Sequence, residues 1–175
     1  MSGGDYVGGL CGYSYYGDII ACYNAADVSG ANYVGGLCGF NAGGYIRSCY
    51  NTGNVSGNDY VGGVCGGANP GRMSACYNIG IVSSSGYAGG VCGIVMGSIT
   101  ACYWQYNTNG DAVLGIGKNG YSTVGTDAGT EIFAGTTLPV NDTNWVIGDG
   151  TTGQWKSLGY WYSDFAFEYP KLWWE

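Results

Sequence analysis

Apolar and glycine positions recur along this chain with a period of 27 residues. The stretch Tyr6 to Gly12 (YVGGLCG) returns with little change from Tyr33 (YVGGLCG), Tyr60 (YVGGVCG) and Tyr87 (YAGGVCG). Within one period, short β-prone pieces lie around residues 7–13, 19–24 and 27–29, separated by Gly, Asn and Asp. Pieces this short cannot form helices, and frequent glycines would destabilise one. The period therefore predicts an all-β fold, a parallel β-solenoid (β-helix) of four 27-residue coils.

Stacked coils would place corresponding side chains above one another, about 4.8 Å apart. Four apolar ladders are then expected to form the core, because a single coil cannot bury its apolar face. They are Val7, Val34, Val61 and Ala88; Leu10, Leu37, Val64 and Val91; Ile19, Ile46, Met73 and Ile99; and Val28, Val55 and Val82.

Paired glycines occupy the same place in every repeat, at 8–9, 35–36, 62–63 and 89–90. Glycine accepts positive φ and close backbone approach, so each pair predicts a corner or bulge. A phosphate-binding loop is a poor alternative, because neither a helical pattern nor a suitably placed lysine follows these glycines.

The period is lost after Trp104, which divides the chain into a solenoid over residues 1–104 and a C-terminal segment over residues 105–175. The end of this segment is dense in aromatic residues and poor in charge, so it must be buried against something. We expect it to cap the last coil and shield its strand edges. Its tryptophans, the candidate cap residues, are Trp145, Trp155, Trp161, Trp173 and Trp174.

The first repeat begins at Asp5 with no covering segment before it. This favours a mature or excised part of a longer protein over a complete cytoplasmic chain, because the open end of a solenoid needs a cap. The missing piece would be further repeats or another subunit, and self-association through the uncapped N-terminal coil is one expectation.

Composition excludes several classes of protein. Glycine is abundant, at 36 of 175 residues, but lacks the strict three-residue period of collagen, and frequent Tyr, Val and Ile oppose disorder. A net charge of −7 with five scattered basic residues makes nucleic acid an improbable partner. An apolar run of 18 residues is absent, so no membrane span is expected in this chain.

Eight cysteines form the most specific chemical pattern, one pair in each repeat. Zinc sites place paired ligands closer together and often use His, which this chain lacks, so no metal or cofactor is expected. Two interpretations remain: one disulfide within each coil, or free thiols stacked as two small apolar ladders. Alternation along the strand places the second cysteine with mostly polar neighbours, facing outward or at a corner, and this favours bridges. The candidate pairs are Cys11 with Cys22, Cys38 with Cys49, Cys65 with Cys76 and Cys92 with Cys102.

Two aromatic ladders are also expected, Tyr6, Tyr33, Tyr60 and Tyr87, and Tyr23, Tyr50, Tyr77 and Tyr103. Stacked rings stabilise a solenoid by about 0.2–1 kcal/mol per pair, and this structural role is the simpler interpretation. The functional alternative is that the Tyr6 ladder is a platform on which the sugars of a glycan stack.

Catalytic chemistry is difficult to place on this chain. It contains no His for general-base work and neither a GxSxG nor an HExxH motif. The 12 carboxylates are dispersed and do not recur at positions that the repeat would bring together. We therefore expect no catalytic residues, although a carboxylate dyad between repeats and tail stays open as an alternative.

The recurring VGGLCG or VGGVCG, followed by CYN and by VSG, resembles the GLUG motif repeat of bacterial surface proteins. The ending resembles the terminal segment of such arrays, with CYW at 102–104, GIGKNG at 115–120 and YPKLWWE at 169–175. The position of Cys11 is more often Val in that family, and this departure supports pairing of Cys11 with the second cysteine. The resemblance implies a secreted or cell-surface bacterial β-solenoid of the kind found in adhesins, and it carries no catalytic residues onto this chain.

The sequence therefore favours a non-enzymatic extracellular repeat module, an adhesin or stalk segment that presents a surface to a glycan or host-surface protein. The first alternative is a self-assembling subunit of an extracellular filament. The second is a carbohydrate-binding or polysaccharide-degrading β-helix.

Overall fold

The structure is a computed structural model that describes residues 1–105 and 114–119, with strand segments at 130–132, 155–157, 160–161, 167–168 and 171–172. The chain forms two compact units, Met1–Ile132 and Phe133–Glu175. All elements of the described residues are β-strands or isolated bridges, and none of these residues lies in a helix that could cross a membrane.

Each of the first three coils contributes five short strands and the fourth contributes four. The first coil contains β1 (Val7–Gly8), β2 (Cys11–Tyr15), β3 (Ile19–Ile20), β4 (Tyr23–Asn24) and β5 (Val28–Ser29). The second contains β6 (Asn32–Gly35), β7 (Cys38–Ala42), β8 (Tyr45–Arg47), β9 (Tyr50–Asn51) and β10 (Val55–Gly57). The third contains β11 (Asp59–Gly62), β12 (Cys65–Ala68), β13 (Arg72–Ser74), β14 (Tyr77–Asn78) and β15 (Val82–Ser84). The fourth contains β16 (Ala88–Gly89), β17 (Cys92–Val95), β18 (Ser98–Thr100) and β19 (Cys102–Trp104).

Corresponding strands of successive coils pair in parallel and in register, which confirms the parallel β-solenoid. The sheets have the orders β1-β6-β11-β16, β3-β8-β13-β18 and β5-β10-β15, with two longer ones that begin β2-β7-β12-β17 and β4-β9-β14-β19. The two longer sheets each gain a further parallel strand from beyond Trp104, β20 (Ile116–Asn119) on β17 and β21 (Thr130–Ile132) on β19. Stacking in these two sheets therefore continues past the residue at which the sequence repeat ends.

The four predicted apolar ladders form the core. Val7 pairs with Val34, Ile19 with Ile46 and Val28 with Val55. The Leu10 and Ile19 ladders pack with the cysteines in one buried cluster, and the Val7 and Val28 ladders form a second. Leu37, Val64 and Val91 are completely buried, whereas Leu10 on the first coil is 49% exposed. The apolar ladder is therefore half exposed at its first-coil position and buried at the other three.

The chain bends at the second glycine of every pair, which confirms the predicted corner. The glycines serve close approach between coils, and none of the eight has a positive φ. A Cβ on Gly8 would meet the backbone of Leu37 and Cys38, and one on Gly36 would meet the Gly63 carbonyl and the Asn51 side chain. A left-handed residue does recur near these glycines, the tyrosine two positions before each of the first three pairs, with φ of 58° at Tyr6. Glycine is needed here because adjacent coils leave no room for a side chain.

The second unit contains two antiparallel strand pairs. β22 (Trp155–Ser157) pairs with β25 (Lys171–Leu172), and β23 (Tyr160–Trp161) pairs with β24 (Phe167–Glu168). Trp155 and Trp161 of the predicted cap lie in these strands. Trp145, Trp173 and Trp174 lie outside the described residues.

Candidate functional site

A row of stacked tyrosines runs along the outside of the solenoid, beside the β1 sheet. Ring centroids lie 5.1 Å apart between Tyr6 and Tyr33, 4.9 Å between Tyr33 and Tyr60, and 5.5 Å between Tyr60 and Tyr87, and the ring planes differ by no more than 19°. The first three tyrosines have φ between 54° and 58°. That conformation costs about 1–2 kcal/mol for a residue other than glycine, and ring stacking offsets part of this cost.

A second, shorter row lies against the first. Tyr13 and Phe40 face each other on β2 and β7 with centroids 5.5 Å apart, and each meets Tyr6 edge to face, at 5.7 Å and 6.0 Å. The row ends at Gly67, where a Cβ would meet the Phe40 ring. We name these six residues the aromatic cluster: Tyr6, Tyr13, Tyr33, Phe40, Tyr60 and Tyr87.

A lysine lies at the other end of the aromatic cluster. Lys118 on β20 places its Nζ 5.5 Å from the Tyr60 ring centroid and 5.0 Å from that of Tyr87. Such cation–π contacts contribute roughly 0.5–1 kcal/mol at exposed sites. The polypeptide after the last repeat therefore takes part in this surface.

The aromatic cluster exposes ring edges more than ring faces. Tyr33 stacks between Tyr6 and Tyr60, so both of its faces are covered. Burial raises the pKa of Tyr33. The nearby phenol groups of Tyr60 and Tyr6, followed by the negative charges of Asp59 and Asp5, raise it further. Its hydroxyl therefore remains a hydrogen-bond donor at neutral pH. Within the described part of the cluster, exposure is high at the first-coil end, where Tyr6 is 43% and Tyr13 is 51% exposed.

The other predicted tyrosine ladder belongs mainly to the interior. Tyr50 stacks on Tyr23 at 5.0 Å and on Tyr77 at 4.8 Å, and Tyr77 pairs in register with Tyr103. Tyr50, Tyr77 and Tyr103 are buried. This ladder therefore fits the interpretation that stacked tyrosine rings stabilise the solenoid.

All eight cysteines are free thiols, so the predicted bridges within coils are not formed in the structure. The cysteines instead form the two ladders of the alternative interpretation. One consists of Cys11, Cys38, Cys65 and Cys92, which are in-register partners on adjacent strands. The other consists of Cys22, Cys49, Cys76 and Cys102, each of which donates its thiol to the backbone carbonyl two residues earlier.

The second cysteine lies at a corner, as one of the two predicted positions requires, but it does not face outward because the backbone turns just before it. Ala21, Ser48, Ala75 and Ala101 have φ between 49° and 52°. A left-handed residue ends the alternation of the preceding strand and turns the next side chain inward. Cys49, Cys76 and Cys102 are accordingly buried.

Burial and neighbouring thiols make four of the cysteines poor acids. Burial raises the pKa of Cys65 and of Cys76 well above the ordinary value for a thiol. The hydrogen bond shared with Cys65, followed by burial, raises the pKa of Cys38, and burial followed by the nearby Cys38 raises that of Cys11. At neutral pH these four thiols keep their protons.

A buried asparagine ladder was not predicted as a structural element. Asn24 Nδ2 donates to Asn51 Oδ1, and Asn51 Nδ2 donates to Asn78 Oδ1, each at 2.8 Å. Each amide also donates to the carbonyl two residues later, as Asn51 does to Gly53 at 2.7 Å. The Asn that recurs in the CYN of the first three repeats was a possible signal, since a polar residue beside an apolar ladder must find buried partners.

Carboxylates of the repeats are engaged in holding coils together. Asp5 Oδ1 accepts from the backbone N–H of Asn32 at 3.1 Å, and Asp27 Oδ1 accepts from that of Asn54 at 2.8 Å. Asp18 and Asp59 accept from the next coil in the same way. Within the described part of the chain, no group of three or more His, Cys, Asp or Glu residues could hold a metal ion.

Comparison with protein families identifies the repeat. The family model of the GLUG motif matches the chain twice, over residues 3–29 and 30–56. The first two coils are therefore similar to GLUG repeats. The third and fourth coils stack on them in the same register. Comparisons with curated proteins and with solved structures found no match.

Proposed function

We propose that this chain is a non-enzymatic repeat module of an extracellular bacterial surface protein, an adhesin or stalk segment, and that the aromatic cluster is its binding surface. The observation that carries the proposal is the position of this cluster, outside a core already filled by other ladders. Exposed aromatic patches on a well-packed scaffold are typical of interaction surfaces. The GLUG repeats support an extracellular setting.

A glycan is the ligand class that this surface favours. The end of the cluster offers the exposed rings of Tyr6 and Tyr13, and the row beyond it offers phenol hydroxyls at intervals near 5 Å. Asp5 and Asp59 lie close enough to raise the pKa of Tyr33, so they oppose anionic ligands here. A neutral glycan chain lying along the row meets both apolar rings and hydrogen-bonding groups. A host-surface protein is the alternative partner.

The test of binding uses a glycan array probed with the intact chain and with Tyr13→Ala. We expect binding to at least one neutral glycan, weakened at least tenfold by Tyr13→Ala. Tyr16→Ala is the matched control, since Tyr16 is 66% exposed but lies outside the cluster. An array without signal, or binding by Tyr13→Ala equal to that by Tyr16→Ala, contradicts the glycan proposal.

The non-enzymatic part of the proposal rests on how the carboxylates are used. Glycoside hydrolysis generally requires two carboxyl groups that flank the scissile bond. The carboxylates of Asp5, Asp18 and Asp27 instead accept backbone N–H groups of the following coil. We expect no reducing-sugar release from pectin-like or host glycans, and measurable release would overturn this part of the proposal.

A second candidate function is self-association, favoured by the uncovered first coil. Leu10 is 49% exposed although the next three residues of its ladder are buried. The edges of β1 to β4 carry backbone groups that another strand can pair with. We propose that the first coil of a second copy covers this end.

Light scattering after size exclusion tests self-association. The intact chain is expected to elute as a dimer or larger species at micromolar concentration, and Leu10→Lys is expected to shift it toward monomer. Met96→Lys is the control, since Met96 is 41% exposed on the fourth coil. A monomer at all concentrations refutes self-association and leaves the glycan proposal untouched.

A further inference from the structure

The cysteine ladders place the thiols of adjacent coils next to each other in space. Cys11 and Cys38 are in-register partners on β2 and β7, and Cys65 and Cys92 are partners on β12 and β17. Parallel neighbours lie about 4.8 Å apart, within the Cα separation of about 4.4–6.8 Å that a disulfide requires. In-register pairing places the two side chains on the same face of the sheet, and the Cys38 thiol lies near enough to contribute to the raised pKa of Cys11.

The second ladder repeats this arrangement. Cys49 Sγ accepts from the backbone N–H of Cys22 at 3.4 Å, across the coil boundary. The Cys49 thiol contributes to the raised pKa of Cys22, and the Cys102 thiol contributes to that of Cys76. Each cysteine therefore lies beside a thiol of an adjacent coil.

We propose that oxidation of this protein forms disulfides between coils, joining Cys11 to Cys38, Cys22 to Cys49, Cys65 to Cys92 and Cys76 to Cys102. This pairing is the one that uses all eight thiols with neighbouring partners only. It differs from the pairing within coils that the sequence spacing favours. The bridges would fasten the first coil to the second and the third to the fourth.

Accessibility sets the order of oxidation. Cys11 and Cys22 are partly exposed at the uncovered end of the solenoid, whereas the other six are buried. A low-molecular-weight disulfide such as oxidised glutathione therefore reaches the first coil before the others. The bridges from Cys11 to Cys38 and from Cys22 to Cys49 form first.

The chemistry is ordinary thiol–disulfide exchange. Cys11 loses its proton to solvent, and its thiolate attacks one sulfur of oxidised glutathione, which releases one glutathione thiolate. Cys38 then loses its proton and attacks Cys11 Sγ of the mixed disulfide. The Sγ–Sγ bond forms and the second glutathione thiolate leaves, so two thiols are oxidised and one glutathione disulfide is reduced. Burial raises the pKa of Cys11, so below this pKa the rate should rise about tenfold per pH unit.

The test incubates the intact chain with excess oxidised glutathione at pH 8.5, quenches it in acid and maps linked peptides by mass spectrometry after pepsin digestion. We expect peptides that link Cys11 to Cys38 and Cys22 to Cys49, followed at longer times by the two inner bridges. The urea midpoint should rise once the coils are joined.

Two serine variants separate the alternatives. Cys22→Ser should leave the bridge from Cys11 to Cys38 intact, and Cys38→Ser should abolish it. If the bridges lay within coils, Cys22→Ser would leave Cys11 without a partner, and Cys38→Ser would leave Cys11 bridged to Cys22. Peptides that link Cys11 to Cys22, glutathione adducts without protein disulfides, or eight thiols that still react with maleimide after unfolding would each overturn the proposal.

Discussion

At the scale of single residues, a glycine and an asparagine fix how closely two coils approach. A Cβ on Gly36 would meet the Asn51 side chain, and one on Gly63 would meet that of Asn78. In the fourth coil the asparagine position is Trp104, whose indole lies against Gly90. The second glycine of each pair is therefore required by the side chain that packs on it, whether that is an amide or an indole.

Gly36→Ala tests this close approach. The new methyl group would overlap the Gly63 carbonyl and the Asn51 side chain, so we expect a loss of about 1–3 kcal/mol of unfolding free energy. Gly4→Ala is the matched control, because no atom lies within 4 Å of its added Cβ. Urea unfolding measures both, and equal stability of the two variants would refute the close-packing account.

Asn51→Ala tests the buried amide ladder. It removes the acceptor of Asn24 and the donor to Asn78, and each buried polar group left unsatisfied costs about 1–3 kcal/mol. Asn54→Ala is the control, since Asn54 is exposed and accepts from Ile81 N–H. We expect the urea midpoint of the Asn51 variant to fall much further, and a comparable fall in both would contradict a special role for the ladder.

The apolar ladders were predictable from sequence, whereas the cysteine orientation was not. A fixed period aligns Val7 with Val34 and Leu10 with Leu37 without any knowledge of the coil shape. The face of Cys22 depends on one backbone angle, φ of 51° at Ala21, and alanine gives no sequence signal for it. Stacking also covers the faces of inner rings such as Tyr33, and a list of aromatic positions does not reveal this.

At the scale of elements, these left-handed residues divide each repeat into more strands than its apolar pieces suggest. The piece around residues 19–24 is split into β3 and β4 by Ala21, and its counterpart in the fourth coil is split into β18 and β19 by Ala101. The break turns the chain and places Cys22 and Cys102 toward the interior cluster. A short strand with a fixed break is therefore the unit from which each coil is assembled.

Ala101→Val tests the break between strands. A β-branched residue is a poor fit to a φ of 50°, and such backbone strain costs about 1–3 kcal/mol. Ala101→Gly relieves that conformation, so its stability should equal or exceed that of the parent protein. Thr100→Val changes the exposed neighbouring strand position and should be nearly neutral. If Ala101→Val is as stable as Thr100→Val in thermal and urea unfolding, the left-handed turn does not constrain position 101.

At the scale of the whole molecule, contacts connect each coil mainly to its neighbours. Hydrogen bonds run from Leu10 N to Leu37 O, from Leu37 N to Val64 O and from Val64 N to Val91 O at 2.9–3.0 Å. Stability of such an array is approximately a sum over coils and the interfaces between them. Equivalent coils should therefore be interchangeable, provided that the chain enters and leaves at matching positions.

Removal of one coil tests that additivity. Deletion of residues 33–59 joins Asn32 to Tyr60 and would bring Val7 onto Val61 and Asn24 onto Asn78, because the register is 27 residues per coil. We expect a folded β-protein with cooperative urea unfolding and a lower m-value, since less surface is exposed on unfolding. Deletion of residues 33–45 removes about half a coil and places unlike positions over each other, so circular dichroism should show loss of cooperative folding. If both deletions fold equally well, or if neither folds, the coils are not independent units and in-register stacking of matching side chains is not what specifies this structure.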